Sequence, residues 1–261
     1  MNPARRRRIL LIALEAGVPL AVLAGWWVWS VGADSFYFPA LPTILTTFAD
    51  TWLFERVGSD VVPSLARLAA GFGIAVVAGV AIGTALGLSP VARRVAGPLV
   101  EFGRAVPPPA LLPFGMLVLG VGDAMKVFVI AVVCLWPVLL NTVDGVRGVD
   151  PTMLDTARVY GIGGLERLRR IVWPSALPQV FAGMRTSLSL ALILMVISEM
   201  VASTEGIGYF VLESQRSFAI AEMWSGIVLL GVLGYLLNAA LALLERRVLR
   251  WHRAALASAL R

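Results

Sequence analysis

Apolar runs of about 20 residues recur along this chain, and that is the length a helix needs to cross the hydrocarbon of a bilayer. Six such stretches stand out, at roughly residues 9–31, 63–88, 96–119, 125–143, 180–202 and 224–244. Inside lipid every backbone N–H and C=O must find a partner within the protein, so these runs are predicted to be helices. Composition agrees: 59% of the 261 residues are hydrophobic and only 15% are charged, against roughly 25% in soluble proteins. The expected fold class is all-α, a polytopic membrane protein with about six transmembrane helices.

The arginines orient these spans. Arg5 to Arg8, Arg93, Arg94, Arg147, Arg158, Arg167, Arg169, Arg170, Arg246, Arg247, Arg250, Arg253 and Arg261 all fall on one side of a six-helix path. The opposite loops collect Asp34, Asp50, Glu55, Asp60, Asp123, Glu205, Glu213 and Glu222, with Arg56 and Arg216 as basic exceptions and Lys126 at a border. Basic residues stay on the cytoplasmic side, so both termini are expected there. The first run follows four arginines and continues through Trp26, Trp27 and Trp29 to Val31. That is longer than a signal-peptide core, so an uncleaved first helix is expected. The arginines are taken as a cytoplasmic anchor rather than a twin-arginine signal. The formal net charge of +6 follows from the same arginines, and anionic lipid headgroups suffice as their partner. Nucleic acid is not expected.

Several chemistries are excluded by scarcity. Cys134 is the single cysteine and His252 the single histidine. No internal disulfide can form, and no histidine or cysteine cluster offers a metal site. Lys126 follows Met125, so the Gly-Lys-Ser/Thr of a phosphate-cradling loop is missing. If ATP is used, another subunit must bind it. No catalytic residue is assigned.

Three features lie inside the spans. Gly71, Ala75, Gly79, Gly83 and Gly87 recur every four residues and would stack into one smooth stripe. Such a stripe lets two membrane helices approach closely. Packing inside the bundle, with Gly79, Gly83 and Gly87 as helix-packing residues, is the first expectation, and a dimer seam is the second. Pro107, Pro108, Pro109 and Pro113 interrupt the third span, because proline cannot continue helix hydrogen bonding. Freed carbonyls belong beside protein or water, so Pro107, Pro108 and Pro109 are candidates for either a pathway break or a kink. Glu15, Glu101, Arg104, Arg185 and Glu199 are ionisable residues in or at the edges of spans. Such groups face protein or water. Glu101 and Arg104 are placed to pair on one helix face. Arg185 and Glu199 are too far apart to pair and need other partners. Glu199 is the strongest pathway candidate, as a gate or a helix-packing hydrogen bond rather than a substrate ligand.

One segment departs from the apolar pattern. "LDTARVYGIGGLERLRRIVWPSALP", residues 154–178, carries four arginines and three glycines on the predicted cytoplasmic face. Pro151 suits the first turn of a helix, and Gly161, Gly163 and Gly164 would end it. A second helical piece follows, with Leu165, Leu168, Ile171 and Val172 on one face, and Pro174 and Pro178 are expected to break it before the fifth span. On physical grounds alone, this helix–turn–helix is either a plug for another protein's groove or a segment lying on the membrane surface.

The insert resembles the cytoplasmic loop of ABC-importer permeases, whose pattern is Glu-Ala-Ala, three residues, Gly, nine residues, Ile, one residue, Leu-Pro. Here Asp155-Thr156-Ala157, Gly161, Ile171 and Trp173-Pro174 keep that spacing, while Asp155, Thr156 and Trp173 depart in identity. "FPALPTILTTFADTW", "RAVPPPALLPFGMLVLGVGDAMKVFVI" and "SEMVASTEGIGYFVLESQRSF" resemble the nitrate/sulfonate/taurine-type branch. The resemblance implies a type I ABC-importer permease fold and a transporter subunit that is not itself an enzyme. It implies an ATPase-coupling set of Asp155, Thr156, Ala157, Arg158, Tyr160, Gly161, Leu165, Ile171 and Pro174. It implies no cofactor in this chain, with ATP and Mg2+ held by two copies of a partner ATPase. The implied partners are a second permease copy as a homodimer, a periplasmic or lipid-anchored solute-binding protein, and membrane lipid. The implied location is the bacterial inner membrane, and the implied cargo a small solute such as nitrate, a sulfonate or taurine. The domain expectation is a tail and first span at 1–31, a periplasmic segment at 32–60, a core at 61–245 with the coupling loop at 144–178, and a basic tail at 246–261.

The alternative is a stand-alone secondary carrier or channel, which would need mid-membrane coupling-ion ligands and leaves the insert without a task. An intramembrane enzyme would need a base, and no histidine lies in a span. A scaffold would bind a partner through the insert without transport.

Overall fold

The computed structural model describes residues 3–33 and 35–251. Eleven α-helices are named in chain order: α1 Pro3–Ala33, α2 Leu41–Asp50, α3 Val62–Leu88, α4 Pro90–Ala105, α5 Leu111–Leu119, α6 Asp123–Arg147, α7 Pro151–Val159, α8 Gly164–Arg167, α9 Trp173–Ala202, α10 Ile207–Arg216 and α11 Ile220–Val248. The isolated bridge between Ser35 and Phe38 is the one β feature among the described residues. Among the described residues, four helical stretches are long and apolar enough to cross a membrane: Val57–Leu88, Asp123–Arg147, Gly164–Ala202 and Ile220–Val248. The first predicted span lies in α1, whose described apolar part is Gly17–Gly32.

The third predicted span is not one straight helix. Pro90–Ala105 and Pro108–Leu119 meet at 87°. Val106 and Pro107 are extended, and Pro108–Ala110 form a single 3-10 turn. Consecutive prolines remove the N–H groups that an α-helix would use there, and Pro107 and Pro108 disfavour α geometry in Val106 and Pro107, the residues before them.

The fifth span corrects the sequence reading in the opposite sense. Pro174 and Pro178 do not break it, and helix runs from Gly164 to Ala202. A π turn over Leu168–Val172 precedes Trp173, and Pro174 sits in the first turn of α9. The π turn already gives up regular i→i+4 bonding, so the proline there interrupts little.

The chain forms two compact units: residues up to Val57 with Phe210–Leu229, and Gly58–Tyr209 with the residues from Leu230 on. In the first unit Ile44 and Trp52 are buried. Trp52 donates its indole N–H to Ser225 Oγ at 3.0 Å and packs edge-on against Phe210, with centroids 4.7 Å apart.

The second unit is built on α3, α6 and α9. α3 and α6 run parallel in close contact, because the small residues of α3 face the large ones of α6. A Cβ added at Gly71, Gly79, Gly83 or Gly87 would lie 2.7 to 2.8 Å from Ile130, Val138, Leu139 and Thr142, or Val146. The stripe thus packs inside one chain. The antiparallel seam between α6 and α9 uses the same device at Gly145 against Ala176 and at Gly183 against Pro137, which no sequence pattern flagged. Ser187 Oγ donates to the Cys134 carbonyl at 2.7 Å, and Cys134 Sγ donates back to the Ser187 carbonyl.

Candidate functional site

Two polar regions lie at opposite ends of the α3–α6–α9 bundle. The first gathers the start of α3, the start of α6 and the end of α9. Arg67 on α3 is only 3% exposed. Its Nε donates to Asp123 Oδ1 at 2.6 Å, its Nη1 to Glu199 Oε1 at 3.0 Å, and its Nη2 to Glu205 Oε1 at 2.5 Å. A planar guanidinium with five donors is suited to hold three carboxylates at once.

Glu199 is fully buried, and its two oxygens are well supplied. Oε1 accepts from Ser64 Oγ at 2.7 Å as well as from Arg67, and Oε2 accepts from the Gly208 N–H at 3.0 Å. Gly208 lies in the first turn of α10, where free N–H groups and the helix dipole favour a carboxylate. Ser64 Oγ in turn accepts from the Ile207 N–H at 3.1 Å, and the buried Asp60 accepts from the Gly206 N–H at 2.8 Å. Lys126 is 3% exposed and donates to Ser203 Oγ at 2.9 Å, with Asp123 3.6 Å away. Beside this network lies a cleft of about 470 Å³ lined by Lys126, Asp123, Ser203 and Glu205 among others.

The glycines of "STEGIGYF" are explained by this geometry. Gly206 has φ +109°, and a Cβ there would sit 2.5 Å from the Glu199 carboxyl carbon. A Cβ at Gly208 would strike Val196 and lie 2.9 Å from the Glu199 Cβ. Gly206→Ala is therefore expected to cost about 2–4 kcal/mol through backbone strain and overpacking. Thermal unfolding in detergent micelles reads this directly, and an unchanged midpoint would refute the account.

Sequence reasoning picked out Glu199 but not its main partner. Arg67 follows the start of a span by a few residues and looks like an ordinary flanking arginine. The sequence pattern puts Asp60, Asp123 and Glu205 in loops outside the membrane, yet the fold brings all three to this network. The cleft's lining includes none of Pro107, Pro108 and Pro109, so the two sets of pathway candidates are not brought together there. Arg104 and Glu101 pair at 2.5 Å in the open. Arg185 pairs with Glu245 at 2.5 Å. The side chain of Glu15 and residues 252–261, including His252, lie outside the described residues.

The second region is the charged insert. α7 begins at Pro151, with the Asp150 side chain accepting from the Thr152 N–H at 2.8 Å. It ends in a Schellman arrangement: the Ile162 N–H reaches the Ala157 carbonyl at 2.8 Å and the Gly161 N–H reaches Arg158 at 3.0 Å. This closure needs a left-handed residue, and Gly161 supplies φ +70°. Ala157 is 2% exposed, and Ile171 packs with Leu154 and Leu168 on a core of Val146, Val149, Val172 and Ala176. These contacts hold the insert against the bundle. Asp155 pairs with Arg158 at 2.7 Å, and Thr156 Oγ1 donates to the Thr152 carbonyl. Pro174 is half-buried in the first turn of α9. Around the turn, Val159, Tyr160 and Leu165 are 85%, 77% and 78% exposed. A cluster of exposed apolar side chains on a rigid, capped turn fits an interaction surface.

Comparison with known proteins adds the following. The family "Binding-protein-dependent transport system inner membrane component" matches residues 75–250. The nitrate import permease protein NrtB of Synechocystis sp. is 31% identical, over 95% of both chains. The taurine transport system permease protein TauC of Escherichia coli is 28% identical, over 92% of this chain and 90% of its own. An inward-facing crystal structure of the MetNI methionine ABC transporter matches in fold with a TM-score of 0.65. It is 19% identical, and the match covers 72% of this chain and 94% of that one.

Proposed function

From the premise that this chain belongs to the binding-protein-dependent transport system inner membrane component family, and is therefore an ABC-importer permease subunit, we propose that α7 and its Gly161 turn are its ATPase-coupling element. The observation that carries the reading is the exposed Val159–Tyr160 and Leu165 cluster, held on a turn whose other face is buried in the bundle. An exposed apolar face beside a fixed backbone suits insertion into a partner's groove. Asp155, Thr156 and Arg158 line the exposed side of α7 as polar contacts. Ala157, Ile171 and Pro174 seat the element against the bundle.

Two copies of an ATPase subunit bind Mg2+ and ATP, and their closure drives two coupling elements together in a permease homodimer. A periplasmic or lipid-anchored binding protein delivers the solute. The arginine-rich end of the bundle faces the cytoplasm of a bacterial inner membrane, and so do both termini; the bias of basic residues in the sequence supports this orientation. The Arg67–Glu199 network then lies at the periplasmic end, where it ties α3, α6 and the turn before α10 together. The cargo is a small solute such as nitrate, taurine or a sulfonate, the first two being the solutes named for the relatives NrtB and TauC.

The test is a mild-detergent pulldown of the tagged chain from its native membranes, comparing the parent with Gly161→Trp. A left-handed tryptophan costs about 1–2 kcal/mol, and no neighbouring atom lies within 4 Å of its Cβ, so insertion should persist. The parent is expected to retain an ATPase subunit and the variant to lose it. Equal recovery from both removes the coupling assignment.

A further inference from the structure

We propose that the basic end of the bundle holds a binding site for an anionic phospholipid, with its phosphodiester in a cleft lined by four arginines and the first few methylenes of one acyl chain in an adjoining apolar slot. Arg93 of α4, Arg147 of α6, Arg158 of α7 and Arg167 of α8 line one cleft of about 320 Å³, together with Gly87, Leu88, Pro90, Val146, Leu154 and Val172. Four separate elements therefore each bring an arginine to the lining of one space. Asp155 pairs with Arg158. Among the described residues, Arg93 reaches the Leu86 carbonyl alone, at 3.4 Å. Among the described residues, Arg147 and Arg167 make no ion pair. Asp144 lines the neighbouring cleft with Arg93 and Arg147 without pairing with either. The arginines thus outnumber the carboxylates around this space, and like charges held together favour an anion between them. Arginine forks suit phosphate oxygens in particular.

The neighbouring space decides which phosphate. A slot of about 130 Å³, lined by Val80, Thr84, Thr142, Trp173, Ala176 and Val180 with Val146 and Leu177, adjoins the basic cleft. Val146 lines both spaces. Gly87 of the basic cleft is one turn along α3 from Thr84 of the slot, and Val172 precedes Trp173. The slot is almost wholly apolar and lies among membrane-spanning helices. Charge at one end and hydrocarbon at the other match an amphiphile, and basic pockets between membrane helices on the cytoplasmic side are suited to anionic headgroups. Because Arg158 and Arg167 flank the Gly161 turn, a bound lipid would brace the insert against α4 and α6. The site stands on its own geometry, and depends on the proposed orientation only for the leaflet.

The test uses Trp173 as a reporter. Purified full-length chain in mixed micelles is titrated with phosphatidylglycerol carrying brominated acyl chains, which quench tryptophan at short range. Trp173→Phe identifies the part of the signal that comes from the slot. Phosphatidylglycerol should half-quench this component at a concentration at least about tenfold below that for brominated phosphatidylcholine. Arg147→Gln with Arg167→Gln should raise the phosphatidylglycerol value by about tenfold, toward that of phosphatidylcholine, and leave phosphatidylcholine unchanged. Equal values for the two lipids in the parent overturn the proposal. So does an unchanged preference in the double variant, or a phosphatidylcholine value that moves equally, which would mean that the slot itself has been disturbed. Full displacement by excess inorganic phosphate overturns it in favour of a free-phosphate site. None of these outcomes depends on the ATPase pulldown, so either reading can fail alone.

Discussion

Arg67→Met is expected to lower the stability of the chain by about 3–5 kcal/mol, the usual cost of leaving a buried charge without its partner. The stranded group is Glu199, which is fully buried and keeps only Ser64 Oγ and the Gly208 N–H as donors. Asp123 and Glu205 lose Arg67 too, but both are more than half exposed and water can take its place. The asymmetry gives a sharp check. In Arg67→Met with Glu199→Gln the buried charge is gone, while an amide oxygen can still accept from Ser64, so most of the loss should be recovered. A double-mutant cycle by denaturant titration in mixed micelles measures it. Additive losses would show that Arg67 acts through Asp123 and Glu205 instead.

Gly83→Leu should cost about 1–3 kcal/mol or more by overpacking the α3–α6 seam. A Cβ at this position would meet the Leu139 carbonyl oxygen and Thr142 Cβ, each at 2.7 Å. One of these is backbone and cannot rotate away, so the parallel helices must part. Gly73 offers the matched control on the same helix, because nothing lies within 4 Å of its Cβ. Gly73→Leu should leave the thermal midpoint in detergent nearly unchanged. Similar losses at both positions would point to helix propensity rather than close approach.

The bundle's seams illustrate how far local pattern reaches. The four-residue glycine repeat of α3 is visible by eye, since identical spacing is a property of one helix. Which surface it meets is not visible. Sequence left a partner in the same chain and a second copy both open, and only the contacts with Ile130, Val138, Thr142 and Val146 assign it to α6. Gly145 and Gly183 have no repeat around them, so their role in the second seam could not be read in advance. The bend of 87° after Ala105 was foreseeable as a break, because consecutive prolines delete donors wherever they stand. That Pro174 is absorbed within a long helix was not, because no local pattern announces the π turn that precedes it.

Composition and local spacing by themselves determined the membrane-spanning all-α class, the basic end, and the turn at Gly161. Each of these depends on residues a few positions apart, or on summed hydrophobicity. Tertiary structure alone decided that Arg67 answers Glu199 across 132 positions of sequence, and that Arg93, Arg147, Arg158 and Arg167 share one cleft. A charge shows in the sequence that it must be compensated if buried. The identity of its partner depends on which helix ends the fold brings together, and no local pattern carries that information.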